Sequence, residues 1–234
     1  MHVPVHQAKL IEWVEIAPEV RHFVFEVTAM ENFDFIPGQF VSLTDDVNGK
    51  PIKRAYSIAS APSGTNRFEL CLNLVHEGAF TPHLFSLQPG AVLELRGPLG
   101  LFTQPEPHRE ALLVATGTGV APYRAVLQAY LKPGSTPYTL LFGARYEAHI
   151  LYRQEFEAMA RRHPQFRFLP TLTRPGPEWA GRTGRVQEHL EEALGGRRDI
   201  DVLLCGMRPM VEEMRLILKN MGFDRKQIRH EKYT

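Results

Sequence analysis

Cysteine is scarce: Cys71 and Cys205 are the only two in 234 residues. Two cannot build a disulfide framework, nor supply the four thiolates that an iron–sulfur cluster typically needs. Any electron chemistry must therefore be carried by a group other than such a cluster in this chain. Net charge is nearly absent too, with 27 Lys and Arg against 26 Asp and Glu and +1 overall. A nucleic-acid-binding domain usually shows a strongly basic balance or stripe, so no nucleic acid is expected. Long hydrophobic runs are missing: the most apolar stretch, Ala111–Leu131, is broken by glycines, Pro122 and Arg124 and does not read as a membrane span. The start, Met1-His-Val-Pro-Val-His-Gln-Ala-Lys-Leu10, lacks a basic segment followed by an apolar one, so no signal peptide is expected. A cytoplasmic setting with reduced thiols follows as the expectation. The ten histidines show no H-E-x-x-H or other metal spacing, and Pro4 between His2 and His6 argues against a shared helix face. No metal site is expected.

What is present is a change of period. Length allows one large domain or two modest ones. In Arg67-Phe-Glu-Leu-Cys-Leu-Asn-Leu74, Phe68, Leu70, Leu72 and Leu74 alternate with Arg67, Glu69 and Asn73, and Phe23/Phe25/Val27 and Val41/Leu43 repeat the pattern. Such alternation marks half-buried antiparallel strands. Turn signals separate them at Pro37-Gly38, Asn48-Gly49, Pro62-Ser63-Gly64, Pro89-Gly90 and Gly97-Pro98, which suggests a small barrel. After Pro105-Glu-Pro107 the apolar runs become continuous, as in Ala111–Ala115, Thr139–Phe142, Phe166–Leu169 and Val202–Cys205. Helical patterns lie between and after them, at Tyr123–Leu131, Tyr152–Arg162, Val186–Leu194 and Met210–Met221; the last carries Met210, Val211, Met214, Ile217, Leu218 and Met221 on one stripe. Continuous strands alternating with helices predict a doubly wound parallel α/β domain. The expected division is an antiparallel Greek-key barrel over 1–104 and an α/β domain over 105–234.

In an open parallel sheet, ligands bind beyond the carboxyl ends of the strands. There the runs lead into Thr116-Gly-Thr-Gly-Val-Ala-Pro122, Gly143-Ala-Arg145, Thr171-Leu-Thr-Arg174 and Gly206-Met-Arg-Pro209. Gly117 and Gly119 let backbone approach a phosphate at a helix N-terminus. Alone, this G-x-G-x-x-P is equally an ordinary strand–turn–helix corner. In the first half, Arg54-Ala55-Tyr56-Ser57 sets a guanidinium, a phenol ring and a hydroxyl within four residues. An arginine can pair with a phosphate and a tyrosine can face an aromatic cofactor; a surface arginine beside a core tyrosine reads as well.

Five motifs resolve the choice. Arg54-Ala-Tyr-Ser57, Gly78-Ala-Phe-Thr81, Gly117-Thr-Gly-Val-Ala-Pro122, Cys205-Gly-Met-Arg-Pro-Met210 and Glu231-Lys-Tyr233 occur in this order, and the chain so resembles the ferredoxin–NADP reductase family over nearly its whole length. The resemblance implies an FAD-binding barrel over 1–104 followed by an NAD(P)-binding domain over 105–234, and hydride transfer between the nicotinamide C4 and the flavin N5. It implies Arg54 on the flavin diphosphate, Ala55 and Tyr56 against the flavin, and Ser57 near N5. Gly78, Phe80 and Thr81 would form a second flavin-phosphate loop. Thr116 would lie near the nicotinamide, Gly117, Thr118 and Gly119 under the pyrophosphate, and Cys205 and Gly206 beside the nicotinamide. Tyr233 would cover a flavin face, with Thr234 as one residue beyond the family's terminal aromatic. Glu231 matches an acidic position tied to proton and electron transfer; a solvated tail carboxylate is its alternative. Ser57, Cys205, Glu231 and Tyr233 are thus the expected catalytic set.

Arg145, Arg174 and Arg185, with Arg182 as a nearby substitute, resemble the arginines that NADPH-dependent bacterial members place around the 2′-phosphate. NADPH is the expected substrate, although Leu172–Gly184 also resembles NADH-using oxygenase reductases. The expected partner is a separate ferredoxin or flavodoxin, and the chain is expected to act as a monomer. The alternatives are an oxygenase component, or service as a flavin- and nucleotide-binding subunit active only in a complex. Arg161-Arg162 and Arg197-Arg198 are candidate docking patches, or merely solvated faces.

Overall fold

A computed structural model describes residues 4–233; His2 and Thr234, both invoked above, lie outside the described residues. The chain divides into two compact units, one running to Thr103 and including Ala121–Ala129, the other comprising Gln104–Val120 and the residues from Tyr130 onward.

The first unit is a six-stranded antiparallel sheet of β1 (Val5–Ala17), β2 (Val20–Val27), β3 (Phe40–Val47), β4 (Lys50–Ser57), β5 (Arg67–Asn73) and β6 (Val92–Leu99), ordered β4-β3-β6-β1-β2-β5. Past the end of β4 the chain pairs with β5 through an Ile58–Leu70 bridge and an Ala59 N–H bond to the Glu69 carbonyl. That pairing joins the two sheet edges and makes a barrel. Asn48 and Gly49, both at positive φ (57° and 76°), close the β3–β4 hairpin, as the twist of two-residue hairpins requires. The alternating residues fill the interior: Phe23, Phe25, Val27, Val41, Leu43, Phe68, Leu70 and Leu72 are all buried. Phe68 anchors them, with ring centroids 5.5 Å from Phe25 and 5.4 Å from Phe33. Each such ring contributes roughly 1.5–3 kcal/mol by leaving water. A short helix, α1 (Phe80–Ser86), caps this core with Phe80 and Leu84.

The other unit is an all-parallel sheet. Its strands are β7 (Ala111–Thr116), β8 (Tyr138–Ala144), β9 (Phe166–Leu172), β10 (Arg182–Thr183), β11 (Asp201–Met207) and β12 (Ile228–Tyr233), ordered β10-β9-β8-β7-β11-β12. α2 (Ala121–Tyr130), α3 (Arg153–Arg162), α4 (Leu190–Leu194) and α5 (Arg208–Asn220) connect them. The expected helix over Val186–Leu194 is divided, a 3₁₀ turn over Val186–His189 preceding α4. α5 buries Met210, Val211, Met214 and Leu218 against Val202 and Leu204 of β11, the stripe its periodicity predicts. From β7 the chain winds outward through β8 to β10, then returns to place β11 on the other side of β7. The reversal between β7 and β11 is the switch point at which such sheets bind ligands.

Four strands, β1, β6, β10 and β12, were not anticipated: β6 runs on through Gly97-Pro98, which was expected to be a turn, and β10 has only two residues. In β1 the register slips between Leu10 and Glu12 and again between Glu15 and Ala17, and each bulge resets the two-residue alternation. β12 reads Ile-Arg-His-Glu-Lys-Tyr, the charged composition of an edge strand that discourages further pairing.

Candidate functional site

On the barrel, β4 carries the Arg54–Ser57 motif. Arg54 and Ala55 are exposed, Tyr56 is half-buried and Ser57 is buried. Arg54 donates to the Lys53 carbonyl at 2.8 Å and has no carboxylate partner among the described residues. The Tyr56 ring stacks on Phe80 at 6.2 Å and 24°. Its hydroxyl is buried without a hydrogen-bond partner, and burial holds the phenol far above its ordinary range. The loop before α1 is braced internally: Val75 N–H donates to Thr81 Oγ1 at 2.9 Å, and Gly78 N–H to the Val75 carbonyl at 2.9 Å. The Phe80 ring is core, only 1 % exposed, so what Phe80 has to offer a ligand in that loop is its backbone. Sequence reasoning missed His83, whose Nε2 lies 2.7 Å from Asp45 Oδ2 and ties α1 to β3. It also missed Arg124 of α2, which donates to Glu69 and, at 2.9 Å, to the Ala59 carbonyl. These partners lie far apart in sequence and leave no local pattern.

In the α/β unit, the ends of β7 and β11 meet with no room for side chains. A Cβ on Gly119 would stand 2.8 Å from the Cys205 carbonyl carbon and 2.9 Å from Gly206 Cα. Gly206 turns through φ +148°, and a Cβ there would reach Thr116 Oγ1 at 2.5 Å. Gly117 and Thr118 lie on the open side of this corner, in a single 3₁₀ turn that leads into α2. Thr116 Oγ1 is itself buried and unpartnered. Beside the corner, β11 and β12 pair Cys205 with Glu231 and Met207 with Tyr233. Cys205 is fully buried. Burial pushes its thiol well above the usual range, the Glu231 carboxylate adds to that, and a hydrogen bond with Tyr233 opposes it. Three of the four residues expected to be catalytic are thus neighbours; Ser57 belongs to the barrel.

Arg145, Arg174 and Arg185 are all exposed and follow the ends of β8, β9 and β10. Arg174 N–H donates to the Arg145 carbonyl at 2.8 Å, so two of them spring from adjoining strand ends. Among the described residues none of the three guanidinium groups has a carboxylate partner, although the Arg185 backbone N–H donates to Glu188 Oε1 at 2.8 Å. Other arginines are committed. Arg182 grips Glu192 through two nitrogens, which removes it as a substitute. Arg197 binds Glu110 and the Leu194 carbonyl, and Arg198 binds Glu191. Arg197 and Arg198 are thus both engaged in ion pairs. Arg161 and Arg162 sit exposed in the last turn of α3, where cations complement the helix dipole.

Family models match both halves of the chain. A model described as oxidoreductase FAD-binding domain matches residues 7–104, and one described as oxidoreductase NAD-binding domain matches residues 113–215. The ferredoxin–NADP reductase B of Sorangium cellulosum is 42% identical over 236 residues, covering 97% of each chain. The chain belongs to the ferredoxin–NADP reductase family. It is a flavin-dependent NAD(P)H oxidoreductase. Other relatives of this reductase include the anthranilate 1,2-dioxygenase electron transfer component of Acinetobacter baylyi, 28% identical over 87% of this chain and 60% of that one. Among solved structures, a cytochrome P450 reductase from Amycolatopsis superposes with a TM-score of 0.89 at 30% identity, covering 100% of this chain and 72% of that one. A ferredoxin NADP+ reductase from Neisseria gonorrhoeae, solved with FAD and NADP, shares the fold at TM-score 0.84 and 22% identity over 99% of both.

The residues of this reductase fit such ligands. The unpartnered Tyr56 hydroxyl sits in the barrel beside the uncommitted Arg54, as a flavin and its diphosphate would need. The unpartnered Thr116 hydroxyl lies at a corner kept bare by glycine, as a dinucleotide would need. Each buried hydroxyl left without a partner costs free energy until a ligand supplies one. Among the described residues, no helix is long and apolar enough to cross a membrane.

Proposed function

We propose that the chain moves electrons between NADPH and a separate one-electron carrier, a ferredoxin or flavodoxin. The observation that carries this reading is the trio Arg145, Arg174 and Arg185, exposed on the strand-end side of the sheet with guanidinium groups that no carboxylate engages among the described residues. A 2′-phosphate is recognised by such cations, and NADH has none to offer them. Bound FAD would supply the redox chemistry, taking up two electrons with a hydride and releasing them singly.

The chain's own work is binding and alignment, divided between residues 1–104 for FAD and 105–234 for the dinucleotide. Arg54 pairs with the flavin diphosphate. Ala55 and Tyr56 would hold the flavin, with the Tyr56 ring as a flat face, and Ser57 would supply the hydroxyl near N5. Gly78, Thr81 and the Phe80 backbone make the second phosphate contact. Gly117, Thr118 and Gly119 turn backbone N–H groups toward the pyrophosphate. Thr116, Cys205 and Gly206 would wall the nicotinamide, and Glu231 and Tyr233 stand beside Cys205 on the neighbouring strand. Cys205, protonated at neutral pH, packs and does not attack. Holding the donor carbon in near-attack geometry is then the protein's main contribution to rate. The proposal includes a monomer working in the cytoplasm; Cys71 and Cys205 are unbridged and buried.

Steady-state kinetics with ferredoxin or flavodoxin as acceptor test this. NADPH should have the higher kcat/KM, and Arg174→Ala should raise the KM for NADPH about tenfold or more while sparing NADH. NADH used at least as well as NADPH, or both lowered equally by Arg174→Ala, contradicts it. That outcome would favour an NADH-dependent reductase of an oxygenase, the reading to which the dioxygenase electron transfer component points.

A further inference from the structure

Tyr146 stands directly after Arg145, two residues past the end of β8. Its backbone is fixed: His149 N–H donates to the Tyr146 carbonyl at 3.0 Å, closing the single 3₁₀ turn Glu147–His149. Its ring tilts against His149 with centroids 5.7 Å apart and remains 43% exposed. An exposed aromatic ring held in place at a strand end is available to a ligand. The hydroxyl lies 3.4 Å from Arg174 Nη1. A guanidinium can only donate, so the phenol accepts there and keeps its own proton to give. Among the described residues no acceptor takes that proton. Arg174, first through its hydrogen bond and then through its charge, together with Arg145 holds the phenol below its ordinary range. A more acidic hydroxyl is a stronger donor to an anion.

We propose that Tyr146 is a specificity-determining residue, its hydroxyl accepting from Arg174 while donating to the 2′-phosphate that Arg145 and Arg174 hold. This rests on the NADPH reading above. The hydroxyl adds a neutral donor to the cations, and it restrains a long side chain that would otherwise lose rotamer freedom on binding.

The test is isothermal titration of the FAD-loaded enzyme with adenosine 2′,5′-bisphosphate and with adenosine 5′-monophosphate. Wild type should prefer the bisphosphate. Tyr146→Phe keeps the ring and should weaken the bisphosphate by about 3- to 10-fold, the worth of one such hydrogen bond, with the monophosphate unchanged. In kinetics the same variant should raise the KM for NADPH at constant kcat and leave NADH alone. In an Arg174→Ala background it should cost little further, because the hydroxyl then lacks its orienting partner. Unchanged binding of both nucleotides by Tyr146→Phe overturns the proposal, and so does an equal loss of both, which would assign the hydroxyl to the adenine or to the fold. If wild type shows no preference for the bisphosphate, the NADPH reading itself fails and this inference falls with it.

Discussion

Gly119→Ala places one methyl group at the closest approach between β11 and the loop after β7. The added Cβ would stand 2.8 Å from the Cys205 carbonyl carbon, 2.9 Å from Gly206 Cα and closer still to the carbonyl oxygen. All three are backbone atoms, so no side chain can swing aside. Ordinary contact begins near 3.4 Å, and the corner must therefore open by about 0.6 Å or more. β11 resists, because at Cys205 it is laddered on both sides, to Ala115 of β7 and to Glu231 of β12. Overpacking of this kind costs about 1–3 kcal/mol, and the rigid neighbours put it in the upper half of that range. For a chain of this length the melting temperature should fall by roughly 4–12 °C. Dinucleotide affinity should drop at least tenfold, since the displaced atoms form the proposed pyrophosphate and nicotinamide walls. Gly117→Ala is the control: its Cβ meets nothing within 4 Å, and only its φ of +54° carries strain, worth about 1–2 kcal/mol. NADP+ titration followed by the flavin difference spectrum, with thermal melts alongside, reads both effects. A Gly119→Ala enzyme that melts and binds like wild type would refute the close-approach reasoning.

Arg54→Ala should weaken FAD by about 10- to 100-fold without destabilising the barrel, because the exposed side chain loses a charge-assisted phosphate contact and only one bond to Lys53; fluorescence of released FAD on dilution measures this. Asp201 is buried at the start of β11, with one carboxyl oxygen unpartnered. Burial raises its pKa against the pull of Arg109 and Arg229. The native state thus holds that proton more tightly than the unfolded chain does, so the stability it contributes is full at low pH and is lost as pH rises from about 4 through the raised native value. Asp201→Asn should flatten that decline, gaining on wild type across the window in melts recorded from acid to neutral pH; a parallel decline in both proteins would contradict it.

The parts of the fold that could be read from sequence are those in which one face is uniformly buried. Phe68, Leu70 and Leu72 declare β5, and Met210, Val211, Met214 and Leu218 declare α5, because each lines one continuous core. β1 was hidden by its two bulges and β12 by its charged edge. For the site, the close approach at Gly119 and Gly206 was visible, since small residues after a buried apolar run mark such a corner in adjacent residues. The direction of Phe80 was not, because a helix start turns its ring into the core. Nor could sequence separate Arg145, Arg174 and Arg185 from Arg182, Arg197 and Arg198. Whether an arginine is committed depends on carboxylates that only folding brings near, as Glu110 is brought to Arg197.

Anaerobic titration of the purified, yellow holoenzyme tests the central claim most directly. One equivalent of NADPH should bleach the flavin absorbance, and oxidised ferredoxin or flavodoxin added afterwards should restore it while becoming reduced. A protein that takes up no FAD, or whose flavin NADPH leaves unbleached, would contradict the account. Bleaching with no transfer to either soluble carrier would retain the hydride chemistry and remove the proposed partner.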